Sequence, residues 1–200
     1  MRNLLYVRCS LFGEDGESSR LARRLVRRFQ AAHPDAALTL RDVQQPALPH
    51  LDAATFRAFA QAPDALTAED RDRLHLSDRL IAELTSASDL LVALPLYNFS
   101  IPSALKAWID HITRVRATFR YTEHGAEGLL GNIERCWVIA ARGGVYHGTP
   151  NDTQTPYLQL MLGFLGIAPP AFVYAEGLAR PDLRDAALEA AQRAVDELPL

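Results

Sequence analysis

The stretch Asp-Leu-Leu-Val-Ala-Leu-Pro-Leu, residues 89–96, is the part of the chain that says most about its fold. It is a nearly continuous apolar run, without the alternation of polar and apolar residues that marks a half-exposed strand. Such a run is typical of a central strand in a parallel sheet that helices cover on both faces. The stretch therefore predicts an α/β protein with a doubly covered sheet.

Four further strands and several helices are predicted on either side of this run. The strands are short apolar or alternating segments, and they cover residues 3–8, about 38–43, 136–141 and 171–174. Apolar residues at helical spacing predict helices at about 18–33, within 51–88, at 102–114, around 157–164 and at the end of the chain. Thr67, which precedes two acidic residues, is a candidate N-cap within the second of these regions.

This alternation of strands and helices predicts a flavodoxin-like α/β fold, a five-stranded parallel sheet of order 2-1-3-4-5 with helices on both faces. Residues 117–122 alternate ahead of a glycine-rich stretch and predict either an excursion of the chain or a small hairpin. In the predicted order the sheet reverses direction between strands one and three, and ligands bind beyond the carboxyl ends of the strands at such a point. Binding residues are therefore expected in the loops after strands one, three and four.

Composition and charge favour a protein whose partners are small molecules. The 200 residues, 48% of them hydrophobic, suit one domain over residues 1–200, and the net charge of -3 gives no reason to expect nucleic acid or a membrane as partner. The chain has no apolar run of transmembrane length and no signal peptide at its start, so we expect a cytoplasmic protein. Cys9 and Cys136 lie in predicted strands and are interpreted as buried thiols, and no His or Cys spacing indicates a metal site.

The loop after strand one, residues 10–19, places hydroxyl groups and backbone N–H groups where a helix begins. Helix N-termini favour anions, so Ser10 and Ser18 are candidate phosphate ligands. An equally good interpretation of this loop alone is that Ser18 caps its helix. The chain lacks the glycine patterns of dinucleotide-binding folds and of P-loop NTPases, which disfavours both classes.

The loop after strand three, residues 95–102, is rich in aromatic and amide side chains. Tyr97 and Phe99 can offer apolar faces to a planar ligand, and Asn98 can hydrogen-bond at its edge. The alternative is that these aromatics only close the end of the core. After strand four, Arg142-Gly143-Gly144 lets the backbone approach a ligand closely, although two glycines also suit an ordinary turn.

Several longer motifs, in order along the chain, resemble the FMN-dependent NADH azoreductase family, also called FMN-dependent NADH:quinone oxidoreductases. The resemblance runs nearly end to end. The motifs are Asp42, Leu96-Tyr97-Asn98-Phe99, Phe119-Arg120-Tyr121-Thr122, Glu127-Gly128-Leu129, Arg142-Gly143-Gly144, Thr155-Pro156-Tyr157-Leu158, residues 162–167 and Ala175-Glu176-Gly177.

The resemblance implies a homodimer with one non-covalent FMN per subunit and a ping-pong reaction, in which NADH or NADPH reduces the flavin and leaves before a quinone or azo compound is reduced. Carried over by position, the family's flavin contacts are Ser10, Gly16, Glu17 and Ser18 for the phosphate, Leu96, Tyr97, Asn98 and Phe99 for the ring, and Ala141, Arg142, Gly143 and Gly144 for its pyrimidine edge. Phe119, Tyr121 and Phe164 match aromatics near the substrate pocket. No catalytic acid, base or nucleophile is expected, because the flavin carries the reactive atoms.

Three histidines are considered as site residues, and two positions of this chain differ from the family pattern. His147, close behind the glycine pair, is the best histidine candidate to approach the flavin or a quinone oxygen, whereas His111 and His124 read as helix-packing or solvated residues. The family typically has Ser-x-Ser where this chain has Gly16-Glu17-Ser18, so Glu17 must point away from a phosphate. Arg116 stands where a glycine or small residue is common, which predicts a narrower or more positive pocket mouth.

Two rival functions fit the same fold. A flavodoxin-like one-electron carrier would use the same crevice, but such carriers tend to be strongly acidic, and a net charge of -3 is mild. A non-enzymatic flavodoxin-like domain would have an empty crevice and would not bind added FMN.

Overall fold

A sheet of five parallel strands forms the centre of the computed structural model, which describes residues 2–200. Its strands are β1 (Asn3–Arg8), β2 (Ala37–Asp42), β3 (Asp89–Pro95), β6 (Arg135–Ala141) and β7 (Ala171–Ala175), in the order β2-β1-β3-β6-β7. The remaining strands, β4 (Phe119–Thr122) and β5 (Gly125–Gly128), pair with each other as an antiparallel hairpin. With this hairpin set aside, the predicted order 2-1-3-4-5 is confirmed.

Within residues 2–200, six α-helices connect the strands, and five of them cover the two faces of the sheet. The six helices are α1 (Glu17–Ala32), α2 (Ala53–Ala60), α3 (Ala68–Ser86), α4 (Ser103–Ile112), α5 (Gln154–Phe164) and α6 (Pro181–Glu197). α1 and α6 pack on one face, and α3, α4 and α5 pack on the other, while the short α2 packs against α3. The predicted cap of α3 is confirmed, because the Thr67 hydroxyl accepts from the Asp70 N–H and Asp70 caps the Thr67 N–H in return.

The apolar run of β3 explains why it lies at the centre of the sheet. All seven of its residues are buried. Leu90, Val92 and Leu94 face the core under α3 and α4, while Leu91 and Ala93 face the core under α1. A strand that is covered on both faces has no position for a solvated side chain, so its sequence cannot alternate.

Some boundaries differ from the sequence expectations by a residue. Leu96 lies just beyond the end of β3. β1 has the predicted bounds, residues 3–8, so Cys9, interpreted from the sequence as a strand residue, follows the strand directly. Cys9 and Cys136 are both buried free thiols. Among residues 2–200, no helix has the length and apolar character to cross a bilayer, and no cluster of three or more His, Cys, Asp or Glu side chains is arranged to hold a metal ion.

The hairpin is held against the end of α5 by close backbone contact. The Leu130 N–H donates to the Leu165 carbonyl at 2.9 Å. A Cβ atom added to Gly128 would lie 2.1 Å from the backbone nitrogen of Gly166 and 2.1 Å from the carbonyl carbon of Leu165. The two family motifs that contain Gly128 and Gly166 are thus the two sides of one contact, which requires glycine because there is no room for a side chain.

Candidate functional site

A cleft of about 890 Å³ opens at the carboxyl edge of β1, β2 and β3. Leu96, Tyr97 and Asn98, predicted from the loop after β3, lie on its wall. The wall also contains residues that the sequence did not single out as site residues: Leu11, Gln44, His50, Lys106 and Tyr157. Gln44 and His50 follow β2 at the same sheet edge as the predicted loops, so strand order was a signal that could have located them.

The N-terminus of α1 lies after β1 at this edge and has free polar groups. Its N-cap is Gly16, and no side chain of residues 2–200 caps the helix, so the alternative that Ser18 acts as the cap is wrong. Ser10 and Ser18 are buried, and within the described chain the Ser18 hydroxyl has no hydrogen-bond partner. The first backbone N–H groups of a helix also lack intrahelical acceptors. The arrangement suits an anion that would accept hydrogen bonds from both sources.

Two neighbours define the shape of this anion site. A Cβ atom on Gly16 would lie 2.2 Å from the Ser10 hydroxyl oxygen, so glycine lets the loop fold closely over Ser10. The Glu17 carboxylate forms an ion pair with Arg184 on α6 and lies 3.8 Å from Arg20. Glu17 is therefore directed along the α1–α6 surface, where its charge is neutralised by arginines.

The loop after β3 forms a tight turn, Tyr97–Ser100, closed by reciprocal backbone hydrogen bonds of 3.2 and 3.0 Å. Its central residues, Asn98 and Phe99, have φ angles of 50° and 58°, a region that non-glycine residues adopt at an energetic cost. The Tyr97 hydroxyl accepts a hydrogen bond of 3.2 Å from the Leu11 N–H. Tyr97 thus joins the loop after β1 to the loop after β3.

Arg142, which the sequence placed in the loop after strand four, directs its side chain into the protein. The guanidinium is fully buried and lies 2.9 Å from Asp152 and 3.0 Å from Glu176. It also lies over the Tyr174 ring, 5.0 Å from the centroid. Burial alone would raise the pKa of Asp152, but hydrogen bonds from Thr155 and Arg142 outweigh burial and hold that pKa below its ordinary value.

The glycine pair next to Arg142 is anchored through its carbonyl groups. The Gly143 carbonyl accepts from the Ala179 N–H at 3.0 Å, and the Gly144 carbonyl accepts from the Gly177 N–H at 2.9 Å. Ala141, at the end of β6, precedes this segment. A Cβ atom on Gly144 would lie 2.5 Å from the Tyr146 hydroxyl oxygen, so the Tyr146 ring already occupies the space beside this glycine. A side chain at position 144 would therefore have to displace the end of the Tyr146 side chain.

The aromatic residues assigned to a substrate pocket form a cluster away from the cleft wall. Phe119 lies 4.9 Å from Phe164 and 5.5 Å from Tyr121, measured between ring centroids. Tyr121 is 75% exposed on the hairpin. Arg116 also lies off the cleft wall, where its guanidinium donates to the Gln61 carbonyl at 3.2 Å. Its φ is 66°, a conformation that glycine adopts without steric cost and that costs energy for arginine.

His147 lies on the Arg142 network. Its ring stacks on Tyr174 at 4.1 Å, and its Nδ1 lies 3.5 Å from Asp152. His111 is buried in α4, with Nε2 3.0 Å from the Pro49 carbonyl oxygen, and His124 is exposed in the hairpin turn. The structure therefore places His147 against residues that hold Arg142, next to the Gly143–Gly144 segment. His111 packs in the interior, and His124 is exposed to solvent.

Comparison with known proteins identifies the family of the chain. The model of the family described as flavodoxin-like fold matches residues 2–198. The FMN-dependent NADH:quinone oxidoreductase of Alcanivorax borkumensis is 44% identical over 191 residues, 95% of this chain and 96% of the relative. The FMN-dependent NADH:quinone oxidoreductase 6 of Burkholderia lata is 43% identical, with 98% of each chain covered.

Solved structures give the same result. An azoreductase from Bacillus anthracis superposes with a TM-score of 0.87 at 27% identity, covering 99% of this chain and all of the other. An FMN-dependent NADH-azoreductase from the same species, solved in complex with FMN, superposes with a TM-score of 0.83 at 25% identity, covering 98% of each chain. The resemblance first seen in the sequence motifs is confirmed, and the chain belongs to the family of FMN-dependent NADH:quinone oxidoreductases.

Proposed function

We propose that this protein uses NADH or NADPH to reduce quinones and azo compounds through FMN, by a two-electron ping-pong reaction. The observation that carries the proposal is the meeting, at one sheet edge, of an uncapped helix N-terminus and a cleft walled by Tyr97 and Asn98. An anion site beside a cleft with an aromatic and amide wall matches the two parts of FMN, a phosphate and a planar ring. The family relationship supports the choice of FMN.

The residues present fit the phosphate of FMN. The buried, unpartnered Ser18 hydroxyl would donate to a phosphate oxygen, together with Ser10 and the first N–H groups of α1. The hydroxyl missing from the family's Ser-x-Ser pattern is thereby replaced by backbone donors. Glu17 does not oppose the anion, because its carboxylate is paired with Arg184.

The ring would lie along the Tyr97–Ser100 turn, with the N–H groups of Gly143 and Gly144 at its pyrimidine edge. When bound, FMN supplies the redox chemistry, taking a hydride from NADH or NADPH and passing two electrons to the acceptor after the nucleotide has left. The protein's part is to orient the ring, to present N–H donors toward developing negative charge, and to shape access for both substrates. His147 is held by Asp152 and Tyr174 and would contribute to the support of the glycine loop.

We also propose that the protein is a homodimer with one FMN per subunit. Large apolar side chains stand exposed on the loop after β1, on the hairpin and on α5, where Phe12, Tyr121 and Leu160 are 72%, 75% and 68% exposed. A partner subunit that covered these side chains would remove their apolar surface from water. Phe119, Tyr121 and Phe164 would meet substrate close to such a contact.

Steady-state kinetics test the proposed reaction. With NADH and a soluble benzoquinone varied against each other, we expect parallel lines in double-reciprocal plots, because the first product leaves before the second substrate binds. An azo dye should replace the quinone with the same pattern. Intersecting lines would contradict the ping-pong order, and FMN binding without any NADH consumption would favour the one-electron carrier.

The Ser18→Ala variant tests the placement of the phosphate. We expect the Kd for FMN to rise about tenfold, since a hydrogen bond to a charged group contributes roughly 1.5 kcal/mol or more. The melting temperature of the apoprotein should stay the same or rise, because the change removes a buried hydroxyl that lacks a partner. Fluorescence titration of apoprotein with FMN measures the first effect, and calorimetry the second.

The matched control is Ser86→Ala, an exposed serine at the end of α3, at the opposite edge of the sheet. It should change neither quantity. An unchanged FMN affinity in Ser18→Ala would show that the phosphate is bound elsewhere.

A further inference from the structure

The Tyr97–Ser100 turn holds Phe99 in a conformation that this type of residue does not favour. Asn98 and Phe99 both have positive φ angles, 50° and 58°. A bulky residue such as Phe99 rarely adopts this region, and neither position is a glycine. Strained backbone of this kind persists only where the surrounding structure holds it. The contacts that hold the turn are therefore part of how the site is built.

Two consecutive residues at the start of α5 provide these contacts. Gln154 is fully buried, and its Nε2 donates to the Pro95 carbonyl at 2.9 Å and to the Ser100 carbonyl at 2.9 Å. The Thr153 hydroxyl donates to the carbonyl of Phe99. Three carbonyl groups, one before the turn, one within it and one at its end, thus accept hydrogen bonds from one short segment.

Arg142 determines which way the Gln154 amide faces. Its Nε donates to Gln154 Oε1 at 3.2 Å, and because a guanidinium has no acceptor, the amide oxygen must face Arg142 and the NH₂ group must face the turn. Arg142 is itself held by Asp152 and Glu176. A continuous buried network therefore runs from the glycine pair after β6 to the turn after β3.

We propose that Gln154, assisted by Thr153, is a positioning residue for the flavin ring. It holds the Tyr97–Ser100 turn in its strained form and fixes the distance between that turn and the Gly143–Gly144 segment. This inference rests on the proposed placement of FMN between these two segments. Because the ring is rigid, two contact segments that shift relative to each other would fit it less well.

Two variants test the proposal. Gln154→Leu removes the two hydrogen bonds that Nε2 donates, one to Pro95 before the turn and one to Ser100 at its end, and we expect the Kd for FMN to rise at least about tenfold. Thr153→Val removes one hydroxyl from an exposed residue of nearly the same volume, and we expect a rise of about fivefold. Gln154→Leu leaves buried polar groups unpaired and could fail to fold for that reason. In that case the FMN affinity of Thr153→Val alone tests the proposal.

Matched controls separate positioning from general stability. Gln192→Leu changes an exposed glutamine on α6, and Thr85→Val removes an exposed hydroxyl that donates to the Ala82 carbonyl in α3. Neither should change the FMN affinity. The melting temperature of apo Thr153→Val should match that of apo Thr85→Val, whereas a purely structural role would lower the apo melting temperature without changing the FMN affinity.

A double-mutant cycle with Phe99→Gly examines the strain directly, because Thr153 holds the carbonyl of this residue. Glycine adopts positive φ without a steric cost, so the effect of Thr153→Val on FMN affinity should fall below about twofold in the Phe99→Gly background. Independent, additive effects would overturn the proposal.

Tyr97→Ala separates the proposed placement of FMN from the proposed positioning role of Gln154. If Tyr97→Ala leaves the FMN affinity unchanged, the proposed flavin placement is wrong. If Tyr97→Ala weakens FMN binding while Gln154→Leu and Thr153→Val do not, only the positioning role is wrong.

Discussion

Replacement of Arg142 by methionine is expected to lower the free energy of unfolding by about 3–5 kcal/mol, the usual effect of removing one partner from a buried ion pair. The Arg142 guanidinium is fully buried between Asp152 and Glu176, whose side chains are only 6% and 12% exposed. Methionine has a similar length but no charge. The variant would leave two carboxylates in the interior without their common cation.

Urea unfolding of the variant and the unmodified protein measures this loss. Arg24→Met is the matched control, because Arg24 forms a bidentate pair with Asp196 at 2.6 Å on the surface, where ion pairs contribute little. If Arg142→Met lowers the stability no more than Arg24→Met does, the buried network has no stabilising role.

The pH dependence of the Arg142→Met effect follows from the lowered pKa of Asp152. A carboxyl whose pKa is lower in the folded state stabilises the protein above its unfolded pKa, about 3.9 for Asp, and this contribution is lost as the pH falls through the folded pKa. In Arg142→Met the buried carboxyl takes up a proton more readily. The difference in stability between the two proteins should therefore be largest near neutral pH and smaller in acid.

The Gly128→Ala variant is expected to lose about 3 kcal/mol of stability, at the upper end of the usual cost of overpacking. The added Cβ would lie 2.1 Å from backbone atoms of both Leu165 and Gly166, and backbone cannot rotate away as a side chain can. The hairpin would have to separate from the end of α5. Phe119, which packs 4.9 Å from Phe164, would then lose that contact.

Gly131→Ala is a control three residues away, since a Cβ atom there meets nothing within 4 Å. Thermal unfolding should show little change in the control and a clear decrease in Gly128→Ala. Equal melting temperatures for the two variants would show that the hairpin can move at no cost. Binding of an azo dye should weaken in Gly128→Ala alone if the Phe119 cluster contacts substrate.

The fold was readable from the sequence because its main signal is local. The unbroken apolar run of β3 indicates burial on both faces, and the alternation of strands with helices restricts the order of the sheet. The loops after β1, β3 and β6 could be located for the same reason, since parallel strands bring their carboxyl ends to one edge. Family motifs then identified FMN, which no single loop could do.

The roles of individual side chains were harder to predict, and Arg142 is the clearest case. The motif Arg142-Gly143-Gly144 by itself predicts an arginine in a loop that contacts the ligand. Its partners Asp152 and Glu176 are 10 and 34 residues further along the chain, so only the folded protein shows that the guanidinium lies beneath the loop. Gln154 was missed for the same reason, because nothing local marks a glutamine that donates to two carbonyls 54 and 59 residues away.

The sequence by itself determined the architecture of this protein, the sheet edge that carries its site, and its family, because hydrophobic periodicity and contiguous motifs depend on residues that are close in the chain. Only the tertiary structure decided which polar groups are satisfied and which are free. It paired Glu17 with Arg184, left the Ser18 hydroxyl without a partner among the residues that the structure describes, and placed Gln154 under a strained turn. Hydrogen bonds and ion pairs depend on angles and on distances of a few ångströms between distant segments, and those are determined when the elements pack.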